Sequence, residues 1–312
     1  MTLEPSTPFK SALIIVNPKS GQGESGIEEF TQYLRDAQVR VEVRETTPES
    51  TPEDNVKGLE AFDALIGAGG DGTVSSLAYA ARTSQKAYLP YPAGTANLIA
   101  QNLDLPTDPR ELADLFLSGQ TRTLDLAELE VNGEVHGFAM LAGIGLDAAM
   151  IRDSEHTKDR LGVAAYVASA LKQLHPKQTH FKLTLDGKDV EVDGMGVMIA
   201  NFGMANYRVP ITGDVSPVDG KLTVIVLKGN SIVSLLPTLL GSLRAKLNLG
   251  NDDLGNSLET FEATEVSVQA SQALPAQYDG ETLEGDVEVL KARVLPGAVR
   301  YFTPAALKDL ET

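Results

Sequence analysis

The stretch Leu65-Ile66-Gly67-Ala68-Gly69-Gly70-Asp71-Gly72-Thr73 sets one carboxylate inside a cluster of glycines, directly after an apolar run. Without a Cβ, such a backbone turns tightly and brings its N–H groups against a phosphate. Asp71 would repel a bare phosphate, so the loop makes chemical sense if a divalent cation accompanies the ligand. The chemistry expected is that of a metal–nucleotide. Two further loops share this texture: Asn17 to Gly23, and Pro92 to Asn97. Each follows a strand-like run and carries Gly with Ser, Thr or Asn. In an open parallel sheet, loops of this kind gather at the carboxyl edge, where ligands bind, and a helix N-terminus there suits an anion.

Gly67 to Gly72 also satisfies G-x-G-x-x-G. A dinucleotide fold then requires an acid at the end of the next strand to hold a ribose, and Lys86 to Thr95 has none. No G-x-x-x-x-G-K-[ST] occurs either, which excludes a Walker A loop. Further along, Tyr278-Asp279-Gly280-Glu281 could set one carboxylate on a hydroxyl and another near a metal; on spacing alone it equally reads as an ordinary acidic turn. In Val215 to Lys221, Asp219 with backbone carbonyls could hold Mg²⁺ or Ca²⁺, or the segment could simply enter a hairpin. His136, His156, His175 and His180 show no metal-ligand spacing.

The elements that must position these loops alternate. Ser11 to Asn17 is a continuous apolar run, the signature of a strand buried on both faces. A helix is expected from Ile27 to Ala37, an edge-like strand over Val39 to Arg44, and a helix at Pro52 to Leu59. A strand at Ala64 to Gly67 then leads through the glycine loop into a helix reaching Ala81. A strand at Ala87 to Tyr91 and a helix at Pro109 to Leu117, capped by Asp108, complete the set. From Arg122 onward, alternating stretches dominate: Thr123 to Val131, Val135 to Gly143, Thr179 to Leu185, Val190 to Asn201, Leu222 to Leu227, Val266 to Ala270 and Val287 to Val294. Asn132-Gly133 and Asp186-Gly187 have the chemistry of two-residue hairpin turns. Helices are expected around Leu161 to Leu174 and Ile232 to Leu247. The fold class is thus α/β followed by antiparallel β.

The 312 residues suffice for two domains with large cores. The absence of cysteine excludes disulfides, thiolate catalysis and thiolate-bound zinc, and fits a cytoplasmic location. Met1 to Lys10 lacks the features of a signal peptide, and no apolar run reaches membrane-spanning length. A net charge of −17 argues against nucleic acid and against passive adsorption to anionic lipid, so any membrane contact must be local and brief.

With these residues in view, the chain resembles the diacylglycerol kinase catalytic family, and within it the bacterial lipid kinases related to sphingosine kinase. The motifs that carry the resemblance are Asn17-Pro18-Lys19-Ser20-Gly21, Gly69-Gly70-Asp71-Gly72-Thr73, Gly94-Thr95-Ala96-Asn97, Ser216-Pro217-Val218-Asp219-Gly220 and Asp279-Gly280-Glu281, in that order. The resemblance implies a Rossmann-like ATP-binding domain over 1–125 and a β-sandwich lipid-substrate domain over 126–298. It places a cleft between them and lets 299–312 pack back on the first. It implies an ATP- and Mg²⁺-dependent lipid kinase acting in transient contact with a membrane surface, with a homodimer left open. Nucleotide contacts fall on Asn17, Pro18, Lys19, Ser20, Gly21, Thr46, Gly69, Gly70, Asp71, Gly72, Thr73, Ser76, Gly94, Thr95, Asn97 and Lys158. Asp71 acts through Mg²⁺, and Ser216, Asp219 and Lys221 match a structural Mg²⁺ site. Glu281 is the base on the lipid hydroxyl, with Asp279 assisting or holding metal.

The chain departs from the family pattern at Ser75-Ser76, where Asn-Glu is common, and at Leu98 and Gln101, where an Asp and, further on, an Arg often follow the GTxN motif. These put the usual diacylglycerol substrate in doubt more than the nucleotide. The glycine motif is shared with NAD kinase, whose Asn-Glu pair for the nicotinamide ribose is missing here. A non-catalytic lipid- or nucleotide-binding protein is the reading from another class.

Overall fold

The computed structural model describes residues 9–20, 24–145, 178–202, 215–228 and 258–304. The helices expected near 161–174 and 232–247, together with Gly21, Lys158, His156 and His175, lie outside the described residues. The chain divides into two compact units, Met1–Leu126 with Leu295–Thr312, and Ala127–Val294.

In the first unit, β1 (Ser11–Val16), β2 (Arg40–Glu45), β3 (Ala64–Gly69) and β4 (Ala87–Pro92) form a parallel sheet in the order β2-β1-β3-β4. Arg300 and Tyr301 continue it by pairing in parallel with Ala87 and Tyr88. Ala12 to Ile15 and Ala64 to Ile66 are wholly buried, as unbroken apolar runs in a doubly covered sheet should be. Helix α1 (Glu24–Asp36) follows β1, α2 (Pro52–Asn55) precedes β3, and α3 (Asp71–Ala81) and α4 (Leu98–Asn102) leave β3 and β4. Helix α5 (Pro109–Ser118) packs against α1, and the Asp108 side chain caps it by accepting from the amides of Arg110 and Glu111. The strand order reverses direction between β1 and β3, so the carboxyl ends of these two strands flank a topological switch point, the usual ligand crevice of such sheets.

Packing beneath the glycine loop is tight. The Tyr88 hydroxyl donates to the Val74 carbonyl at 2.8 Å, and a Cβ added to Gly67 would lie 2.2 Å from that hydroxyl oxygen. Tyr88 is 1 % exposed and has nowhere to move. Gly67→Ala is therefore expected to lower stability by about 1–3 kcal/mol, the usual range for overpacking, as read from urea unfolding midpoints.

The second unit is antiparallel. One ladder runs β12 (Leu258–Ala263), β11 (Leu222–Leu227), β10 (Gly196–Ala200), β7 (Leu141–Gly145) and the C-terminal end of β13 (Glu265–Tyr278). The N-terminal end of β13 instead pairs with β8 (Thr179–Leu185), which pairs with β9 (Lys188–Gly194). β13 thus passes between two sheets, and its register against β14 (Glu281–Phe302) shifts between Gln269 and Leu274, where the strand turns the corner. Ile144, Val197, Ile199, Val224 and Val226 meet Phe181, Leu183, Val268 and Leu290 in the sandwich core. β5 (Thr121–Val131) pairs with β6 (Glu134–Phe138) through the Asn132-Gly133 turn, both residues of which have positive φ.

Two expected strands prove to be pairs of strands. Val135 to Gly143 breaks into β6 and β7 at Ala139-Met140, whose amides bond a side chain instead of a neighbouring strand. Val190 to Asn201 breaks into β9 and β10 around Met195, whose amide donates to the Leu227 carbonyl. Among the described residues, no helix is long and apolar enough to cross a membrane.

Candidate active site

In the first unit, three loops at the carboxyl ends of β1, β3 and β4 are fastened to one another. Asn17 is the first fastening. Its Nδ2 donates to Thr73 Oγ1 at 2.8 Å, its amide donates to the Ala68 carbonyl at 2.8 Å, and its Oδ1 accepts from the Lys19 amide at 3.0 Å. One short side chain therefore shapes its own loop and ties it to the glycine loop. The Thr46 amide donates to the Val16 carbonyl at 2.8 Å, which brings the end of β2 beside the same edge. Pro18 and Lys19 are exposed, and Ser20 is half-buried.

The second fastening is Asp71. Its Oδ1 accepts from the Ile99 amide at 3.0 Å, so the carboxylate in the β3 loop serves as the N-terminal cap of α4, after the β4 loop. A carboxylate suits that place because the first amides of a helix lack intrahelical partners and carry partial positive charge. Asn97, at φ 51° in the left-handed region, binds Gly94 twice instead of capping its own helix. Its Oδ1 accepts from the Gly94 amide at 2.8 Å and its Nδ2 donates to the Gly94 carbonyl at 2.9 Å. The third fastening is close approach, since a Cβ on Gly94 would stand 2.5 Å from Gly70 Cα and 3.2 Å from Gly70 N. The two glycine turns touch backbone to backbone.

At the start of α3, Gly70 offers no side-chain cap, so the first-turn amides over Asp71 to Thr73 are left to an outside acceptor. The helix runs 11 residues, long enough for its dipole to favour an anion there. Ser75 is buried, while Ser76 Oγ donates back to the Thr73 carbonyl at 3.0 Å; Thr95 is exposed at the loop tip.

The second unit holds the other candidates. Asp279 and Gly280 both have positive φ, 45° and 86°, and Tyr278 pairs with Glu281 across them, which makes a two-residue turn of the kind that suits strand twist. Asp279 is only 9 % exposed, and its carboxylate accepts from three successive amides: Ala139 at 2.7 Å, Met140 at 2.8 Å and Leu141 at 3.0 Å. This staple, invisible in the local sequence, is what interrupts the expected Val135 to Gly143 strand. Glu281 leaves the turn exposed. Tyr278 stacks on His136 with ring centroids 4.8 Å apart. Burial, followed by the charges of Glu281, Asp279 and Glu134, pushes its phenol above the ordinary range.

The Ser216 to Lys221 turn is held differently. Asp219 Oδ1 accepts from the Lys221 amide at 2.9 Å, and Lys221 Nζ pairs with Glu262 at 2.6 Å. Among the described residues, no three His, Asp or Glu side chains gather as a metal cage. Mg²⁺ does not require one, because it commonly takes a single protein carboxylate together with phosphate oxygens. Asp71 offers such a carboxylate within the fastened loops.

Known proteins share this chain's sequence pattern and fold. Residues 11–129 match the Diacylglycerol kinase catalytic domain, and residues 141–303 match the YegS C-terminal NAD kinase beta sandwich-like domain. A Staphylococcus aureus protein (strain bovine RF122 / ET3-1), provisionally named a lipid kinase, is 27 % identical over 248 residues, 77 % of each chain. A Bacillus anthracis str. Sterne structure, provisionally titled a diacylglycerol kinase, superimposes with a TM-score of 0.75 at 21 % identity, covering 96 % of this chain and 99 % of its own. Yeast NADH kinase complexed with NADH shares the fold more distantly, with a TM-score of 0.56 at 13 % identity over 96 % and 85 % of the two chains. With both domains matched in order, the chain belongs to the kinase family that joins a diacylglycerol kinase catalytic domain to a YegS-type β-sandwich.

Proposed function

We propose that this chain transfers the γ-phosphate of ATP to a hydroxyl group of a lipid, either diacylglycerol-like or sphingoid-like, with Mg²⁺ as the accompanying ion. The observation that carries the reading is the fastening of three glycine-bearing loops at the switch point of a parallel sheet, with one carboxylate set among them. The names of the relatives supply the lipid half.

The uncapped amides at the start of α3 receive phosphate oxygens, and the backbone contact of Gly70 with Gly94 lets the β4 loop approach the same phosphates. Asn17, Pro18, Lys19, Ser20, Thr46, Ser76, Thr95 and Asn97 complete the nucleotide surface. Asp71 holds Mg²⁺, which supplies neutralisation of the anionic oxygens when bound. Ser216, Asp219 and Lys221 are proposed to hold a second, structural ion. Glu281 accepts the hydroxyl proton as the lipid oxygen bonds to the γ-phosphorus; the bond from that phosphorus to the bridging oxygen breaks, and ADP leaves. Contact with the membrane surface is transient, as the charge of −17 requires.

The decisive experiment incubates the full chain with γ-labelled ATP, MgCl₂ and a total lipid extract, with NAD offered in parallel. Label in a lipid phosphate supports the proposal. Label in NADP with lipids inert would establish the NAD kinase reading, and ATP binding without transfer would establish a non-catalytic binder. A second check is local. Gly94→Ala drives a Cβ into Gly70 backbone, so the loops must part; ATP affinity measured by calorimetry is expected to fall roughly tenfold or more, and the thermal midpoint to fall with it, as overpacking requires.

A further inference from the structure

In the second unit, the turn that carries Glu281 also places an aromatic ring beside it. Tyr278 and Glu281 are register partners across Asp279-Gly280, so their side chains leave one face of the ribbon, with Cβ atoms about 4.5–5.5 Å apart. That face is the inner one. Ala276 lies two residues before Tyr278 and belongs to the sandwich core; Leu283 lies two residues after Glu281 and packs against it. Strand β6 reaches the same end of the core. His136 pairs with Leu129 and lies two residues before Phe138, both wholly buried, so the imidazole continues their row to the rim.

At that rim the two rings clamp together, centroids 4.8 Å apart and planes 26° from parallel, close to the offset stack that aromatic rings prefer. His136 Nε2 also lies 3.8 Å from Glu134 Oε2, and Tyr278 is half-buried against the core. Glu281, by contrast, is exposed, and among the described residues no hydrogen bond or ion pair holds its carboxylate. Two torsions with three staggered wells each would give that side chain about nine arrangements. Burial, and then the charges of Glu281, Asp279 and Glu134, keep the Tyr278 phenol protonated. The ring therefore stands beside the carboxylate as a neutral wall, not as a second anion.

We infer that Tyr278, backed by His136, is the positioning residue for Glu281. The clamped ring closes the arrangements in which the carboxylate would fold back over the end of the sandwich, and leaves those that project it toward an acceptor hydroxyl. This role rests on Glu281 being the base. Proton transfer demands a heavy-atom distance of about 2.6–3.2 Å, which a side chain with no bond of its own holds only if its neighbours confine it. A carboxylate free to visit about nine arrangements would occupy the productive one a fraction of the time, so releasing the clamp should slow transfer by roughly tenfold.

Initial rates of label transfer from γ-labelled ATP to a saturating total lipid extract test this in the full chain, with ATP affinity by calorimetry and thermal midpoints read on the same samples. Tyr278→Leu keeps apolar bulk near Leu283 but removes the ring, and should lower the rate roughly tenfold at unchanged ATP affinity. Tyr278→Phe keeps the ring and should run at the wild-type rate. His136→Ala leaves Tyr278 unbacked and should slow transfer severalfold, whereas His136→Phe should hold the wild-type rate. In a Glu281→Gln background, Tyr278→Leu should cost nothing further, because a residue that acts through the carboxylate then has nothing to position. Plain loss of packing would instead lower the midpoint and slow both backgrounds alike. If Tyr278→Leu does not fold, His136→Ala with and without Glu281→Gln makes the same comparison. Wild-type rates in both Tyr278→Leu and His136→Ala, or equal losses with and without Glu281, would overturn the clamp and leave Glu281 as the base. Full activity in Glu281→Gln would remove the base itself, and the purpose of the clamp with it.

Discussion

Glu281→Gln should lower kcat for lipid phosphorylation by about 10²–10⁴-fold, the range a general base typically contributes, while ATP affinity and thermal stability stay at wild-type values. The last two expectations follow from the surroundings of the residue. Glu281 is exposed at the first position of β14, directly after the Asp279-Gly280 turn, so a neutral isostere disturbs no packing. Asp279→Asn should behave in the opposite way. Its carboxylate accepts from three amides, and an amide side chain would turn an N–H donor toward one of them. Stability should fall by about 3 kcal/mol, seen in the urea midpoint, because bonds to a charged acceptor are strong and a buried donor is left unmet. Comparing the two separates chemistry from architecture across two adjacent acids. Full kinase activity in Glu281→Gln would remove the base role outright.

Much of this was legible in the sequence, and the parts that were not have a common cause. The Ser11 to Asn17 run announces a doubly covered strand, Asp108 announces a helix cap, and Asn132-Gly133 and Asp186-Gly187 announce tight hairpins; the structure has all of them. Each is a local property, fixed by neighbours within a few residues. The glycine loops were visible for the same reason, since an absent Cβ is a local fact whatever it permits.

What the chain concealed lies in bonds between distant segments. Nothing near Asp71 predicts that it caps a helix beginning beyond the next strand, and nothing near Ala139 predicts that Asp279 draws its amide away from a strand ladder. The passage of β13 between two sheets is likewise set by the partners at its two ends. Alternating hydrophobicity reports which face of a strand is covered; it does not report what covers it.

Asp71 caps α4 through the Ile99 amide and, in the proposed function, would also hold Mg²⁺. Asp71→Asn keeps an oxygen able to accept from the Ile99 amide but loses the charge. The loops should therefore stay fastened, with the thermal midpoint near the wild-type value. Affinity for ATP in the presence of Mg²⁺ should fall toward the affinity measured with EDTA, because the enhancement depends on a negative partner for the ion. Turnover should fall by at least about 10³-fold, since phosphoryl transfer relies on charge neutralisation more than on covalent assistance. Asp71→Ala removes both roles, so it should add a stability loss of about 1 kcal/mol, typical of a deleted helix cap. If the Asn variant retained both its metal-dependent gain in ATP affinity and its turnover, Asp71 would be a helix cap and nothing more, and the embedded aspartate would have lost its chemical reason for standing among the glycines.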